Sequence, residues 1–131
     1  MTRAIIVAFH KYQPYGGKYY EPLFDYFIHN LSTVKDEFDA VYFIDSNWDI
    51  DPLKISQTLG EKGVIIKVNP HLRYYDAYKE VLPLIQEDLV LFMDNDCVVY
   101  KRGIIKKTFD LLEEEENEEN KTNEKQDNLG G

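Results

Sequence analysis

The sequence predicts an α/β domain, a mostly parallel four-strand open sheet with helices on both faces. Three observations carry this. Four short apolar runs have strand length, amphipathic helical patterns separate them, and the two kinds of segment alternate along the chain. The length of 131 residues suits a single domain.

The strand runs are residues 4–9 (AIIVAF), 40–44 (AVYFI), 64–68 (VIIKV) and 89–93 (LVLFM). Each is near-continuously apolar, which predicts coverage on both faces of the sheet. After Gly17, apolar residues recur at Tyr20, Leu23, Phe24, Phe27, Ile28 and Leu31, one face of a helix, with Pro22 tolerated in its first turn. Asp51-Pro52 reads as a cap and first position of a short helix that ends near Gly60. A third helix is predicted over 72–87, with Tyr75, Tyr78, Leu82 and Ile85 on one side and a kink or break at Pro83. A fourth starts near Lys101 and carries Ile105, Phe109 and Leu112.

Residues 1–112 are thus expected to fold, and 113–131 to be a disordered acidic tail. The tail holds eight acidic and two basic residues; sixteen acidic and thirteen basic remain in the body, a net of only −3. Apolar-poor sequence of this kind cannot offset its ordering entropy by burial. No basic stripe marks a nucleic-acid surface. No apolar run reaches membrane-spanning length. The single cysteine, Cys97, excludes a disulfide within the chain and reads as a small core residue. A cytoplasmic location is expected.

Ligands of open parallel sheets bind beyond the carboxyl ends of the strands. Those exits carry His10 to Gly17, Asp45-Ser46-Asn47-Trp48-Asp49, Asn69-Pro70-His71-Leu72-Arg73 and Asp94-Asn95-Asp96-Cys97. The last is the sharpest. Two carboxylates straight after a buried strand are costly unless compensated, and a hard divalent cation compensates them while leaving positions open for phosphate. A polar turn or helix cap is the simpler alternative for the same residues.

The stretch from Glu87 to Asp96 (EDLVLFMDND) resembles the DxD segment of GT-A glycosyltransferases. The resemblance extends over roughly residues 3–112, through the order of elements. It implies a GT-A, Rossmann-like sheet of order 3-2-1-4, and metal-dependent binding of a nucleotide-diphospho-sugar donor for glycosyl transfer to an acceptor the sequence does not name. Asp94 and Asp96 would hold Mn²⁺ or Mg²⁺, and Asp94 and Asn95 would face the donor. Asp45 would contact the base or ribose, Arg73 phosphate or sugar, and His10, Tyr12 and Trp48 would line the nucleotide site.

Members of that family usually run well beyond DxD, into an acceptor half. Here the acidic segment begins at Glu113. The expectation is therefore a chain that binds donor, transfers poorly alone, and exposes sheet surface suited to self-association. Two other readings stay open. Asp94-Asn95-Asp96-Cys97-Val98-Val99 also fits the DxDx[TV][LV] pattern of haloacid-dehalogenase phosphatases. A non-catalytic α/β interaction module is the other.

Overall fold

A computed structural model describes residues 1–10 and 20–130. It contains β1 (Arg3–His10), α1 (Tyr20–Ser32), β2 (Ala40–Ser46), α2 (Pro52–Leu59), β3 (Gly63–Lys67), α3 (Tyr74–Val81), β4 (Leu89–Met93) and α4 (Ile104–Gly130). The four strands form one parallel sheet of order β3-β2-β1-β4. Ile5 lies between Val41 of β2 and Leu91 of β4, and Phe43 of β2 lies beside Ile65 of β3.

Strand parity divides the core into two layers. Ile5, Val7, Phe9, Val41 and Phe43 face α1, α2 and α4, through Phe24, Phe27, Ile28, Ile55, Leu59, Ile105 and Phe109. Ala4, Ile6, Ala8, Ala40 and Ile44 face the other way and meet Ala77 and Val81 of α3. Helices therefore cover both faces, three on one and α3 on the other. This is what right-handed crossovers produce when the chain steps outward from β1 to β3 and then returns past β1 to β4. The small residues Ala4, Ala8, Ala40 and Ala77 let α3 lie close to the sheet.

One helix cannot cover four strands. The prediction that every strand is enclosed on both faces holds for β1 and β2 and fails for the edges: Phe92 on β4 is 50% exposed, and Val64 on β3 is also exposed. The α3 reading also changes. Its fully buried residues are Ala77 and Val81; Tyr78 and Ile85 pack partly buried against the same layer as expected, while Tyr75 and Leu82 are exposed. Close approach to the sheet puts the smaller Ala77 and Val81 deepest and leaves Tyr78 at the margin of the layer. Pro83 ends the helix, and a 3₁₀ turn follows at Leu82–Leu84. In α1, Phe24, Phe27, Ile28 and Leu31 are buried but Leu23 is 66% exposed.

Helix α2 starts as expected: the Asp51 carboxylate accepts the Leu53 amide at 2.9 Å and Pro52 takes the first position. It lies so near β3 that a Cβ on Gly63 would come within 2.2 Å of Ile55 Cγ2.

Helix α4 is assigned over Ile104–Gly130 and so runs through the acidic segment from Glu113. Glutamate and lysine are good helix formers, so the composition that precludes a core does not preclude helix. Arg3 joins α4 to the sheet, donating to Asp110 at 2.5 Å and Glu113 at 3.3 Å, with its guanidinium over the Phe109 ring. From Glu114 to Asn120 every residue is exposed. Deleting residues 117–131 should therefore move the melting temperature by no more than about 2 °C, a fraction of what 1 kcal/mol produces; a calorimetric scan showing a larger drop would reveal packing by that segment.

No helix among the described residues is long and apolar enough to cross a membrane.

Candidate functional site at the strand exits

The order β3-β2-β1-β4 reverses between β1 and β4: the chain steps from β1 outward to β2 and β3, then crosses back over the other face through α3 to β4 on the far side of β1. Crevices form outside the carboxyl ends of such a strand pair. β1 ends at His10, and β4 delivers Asp94-Asn95-Asp96 immediately after Met93.

The Asn95 side chain fastens this loop. Its amide donates to the Ala8 carbonyl at 3.0 Å, so β4 stays tied to β1 beyond the last ladder pair, Val7 with Met93. With the Asn95 amide turned toward the sheet, Asp94 and Asp96 are both exposed. Cys97 is exposed with them, contrary to the core position expected for it. The Cys97 amide donates to the Asp94 carbonyl at 3.2 Å and closes the turn. One ligand atom from each of Asp94, Asp96 and Cys97 lies within 4.8 Å of the others. This donor set fits a divalent cation.

Beyond the turn, the chain is held by a residue that sequence reasoning missed. The Asn30 side chain, near the end of α1, donates to the Val99 carbonyl at 3.0 Å and accepts its amide at 2.8 Å. A single amide thus imitates a strand partner and fixes residue 99. Glu37, another missed residue, is buried and accepts the Gly103 and Lys106 amides at the start of α4.

The exit of β2 is built differently from the expectation. Asp45 is 2% exposed, and its carboxylate accepts three backbone amides of its own loop: Trp48 at 2.7 Å, Ile50 at 2.9 Å and Asp49 at 3.2 Å. The chain can curl this tightly because Asn47 and Asp49 adopt positive φ, 64° and 58°. Asn and Asp enter that region more readily than other non-glycine residues. The curl carries Trp48 inward. Its indole is 7% exposed and packs 5.5 Å from the Phe9 ring and 6.1 Å from Phe24. Neither Asp45 nor Trp48 offers the open face expected for a base or ribose contact; Asn47 and Asp49 are the exposed side chains of this loop.

On the α3 side of the sheet, His10 Nε2 donates to the Pro70 carbonyl at 3.0 Å and ties the β3 exit to β1. Beside His10 in the ladder is Ser46, whose hydroxyl is buried and has no hydrogen-bond partner among the described residues. Arg73 is exposed at the N-terminal boundary of α3. Tyr12 lies outside the described residues. A cavity of about 610 Å³ exists elsewhere, at the opposite end of β4 against α4. Its lining of Asp88, Glu115, Glu116, Glu118 and Glu119 would repel a phosphate.

No family model matches this sequence, and no curated protein matches it significantly. The reading of the site accordingly rests on the fold and on the residues at its mouth.

Proposed function

We propose that this chain is the donor-binding domain of a GT-A-type glycosyltransferase, which holds a nucleotide-diphospho-sugar together with Mn²⁺ or Mg²⁺. One observation carries the reading. A parallel sheet of order 3-2-1-4 presents paired, exposed carboxylates at its switch point, directly after β4. Asp94 and Asp96 would hold the cation, whose chemistry at such a site is to take up charge on a departing diphosphate.

The chain's own residues divide the remaining work. Asn95 keeps the carboxylate turn against β1, so the two acids need little reorganisation when the donor arrives. Arg73 supplies positive charge for phosphate or sugar from the start of α3. Asn47 and Asp49 offer polar groups to the base or ribose, from a loop that Asp45 holds in shape. Phe92 on β4, with Leu82 and Leu84 just past α3, leaves exposed apolar surface that would suit a partner or a second copy.

Calorimetric titration with nucleoside diphosphates, with and without Mn²⁺, tests the proposal. Binding is expected only with the metal present. In Asp96→Ala the metal dependence should vanish and affinity fall at least about tenfold, the loss of a directly coordinating group exceeding that of a supporting one. Metal-dependent binding that survives unchanged in this variant would remove the assignment.

A further inference from the structure

The far end of the sheet carries a groove that the carboxylate turn does not touch. β4 pairs with β1 on one side and, among the described residues, has no strand neighbour on the other. Such an edge presents backbone amides and carbonyls that can take a further strand. Beside the start of β4, helix α4 runs past the sheet and encloses a cavity of about 610 Å³. Its floor is apolar, from Leu89, Val90 and Leu112. Its walls are Asp88, Glu115, Glu116, Glu118 and Glu119, and no Lys, Arg or His lines the space. Leu112, Glu115, Glu116 and Glu119 follow helical i, i+3, i+4, i+7 spacing, so a single face of α4 is turned to the strand.

These features select among ligands. A bare metal ion needs its ligand atoms gathered around one point, and among the described residues no three of these carboxylates are gathered in that way. The charge is strung along α4 instead. Glu115 and Glu119 are like charges four residues apart, a spacing that costs helix stability. A chain bearing several cations in a row relieves that repulsion. Strand parity then dictates how its side chains alternate. Leu89, Leu91 and Met93 face the layer that holds α4. Phe92 faces the α3 side, where its ring lies 4.9 Å from that of Tyr78 and stays 50% exposed. A strand added beside β4 repeats this alternation, one set of side chains lying under the glutamates and the other covering Phe92. We propose that the open edge of β4 and the acidic face of α4 form a docking groove for an extended polypeptide segment in which lysine or arginine alternates with apolar residues. The glutamates lie at the opposite end of β4 from Asp94, so the groove stands independently of the donor-binding proposal.

The test uses the full chain and a fluorescent peptide of alternating lysine and valine, about eight residues long, enough for one strand. Fluorescence anisotropy should show binding that weakens as salt is raised. Combining Glu115→Gln, Glu116→Gln and Glu119→Gln should lower affinity about tenfold, the sum of three exposed ion pairs. These side chains are exposed, so the same variant should keep its fold and any metal-dependent binding of nucleoside diphosphate. The same peptide N-methylated throughout keeps every charge but has no backbone donor for the strand edge, and its affinity should also fall at least about tenfold. Equal binding of the N-methylated peptide, or of spermine, would show attraction of loose counter-ions and overturn strand docking. Undiminished binding of the parent peptide by the triple variant would overturn the role of α4. No binding to the parent chain at about 0.1 M salt would overturn the groove altogether.

Discussion

Asp45→Ala should cost about 3–5 kcal/mol of folding stability, as three backbone amides lose a charged acceptor and two of them lie in a buried setting. Removing one partner of a satisfied buried group leaves the others to bear their desolvation. Asp45→Asn keeps one acceptor oxygen but turns an NH₂ toward an amide, so its cost should fall between parent and Ala variant. Urea unfolding followed by the fluorescence of Trp48, the only tryptophan, reads both. A loss below about 1 kcal/mol in the Ala variant would mean that the loop holds itself without the carboxylate. The same substitution should lower donor affinity only through the loop it disorganises, so binding and stability should fall together.

Phe9→Ala should be comparably severe, about 3–5 kcal/mol, the usual range for a phenylalanine removed from a packed core. Phe9, next to last in β1, lies among the rings of Phe24 at 5.1 Å, Phe27 and Trp48 at 5.5 Å, and Phe43 at 5.9 Å between centroids. Three of these are edge-to-face arrangements, which add to the buried area. The cavity would open directly beneath the β2 exit loop. Trp48 emission in the folded variant should move to longer wavelength as water gains access to the indole. An unchanged emission with a stability loss under about 1.5 kcal/mol would show that the remaining rings collapse into the space.

Much of the architecture is legible in the sequence because the signals are redundant. Runs such as AIIVAF and LVLFM, separated by helical spacing, leave a parallel sheet as the economical solution, and Asp51-Pro52 marks α2 to the residue. The position of Asp94 and Asp96 at a strand exit follows from the same pattern. The direction of individual polar side chains does not. Whether Asp45 faces a ligand or its own loop depends on two left-handed residues, Asn47 and Asp49, whose conformations a linear reading does not fix. Their presence on either side of Trp48 was the available clue, since both residue types favour that region. Trp48 and Cys97 exchanged their expected settings for a related reason: the loop curls the indole in, and the turn closed at Asp94 holds the thiol out. In α3, the deepest residues are Ala77 and Val81, with Tyr78 only partly buried beside them, because the helix rests on Ala4, Ala8 and Ala40, a constraint written in other strands.

The sheet order has a consequence for how the molecule is assembled in time. Of the four described strands, the interior strand β1 is synthesised before the others, and β4, which pairs with it from Arg3 beside Leu89 onward, after them. Synthesis delivers β1, α1, β2, α2 and β3 as a consecutive block whose pairings are each separated by one helix. That block can collapse early, with one side of β1 still lacking its neighbour. Closing the register between β1 and β4 then spans almost the entire strand-forming part of the chain, and loop-closure entropy of that length slows the last step. The carboxylate turn after β4 takes its place only when that final strand docks, because its anchor is the Ala8 carbonyl of β1. If the proposed cation site is correct, acquisition of cation binding during refolding would report the final docking event, later than secondary structure and later than the burial of Trp48.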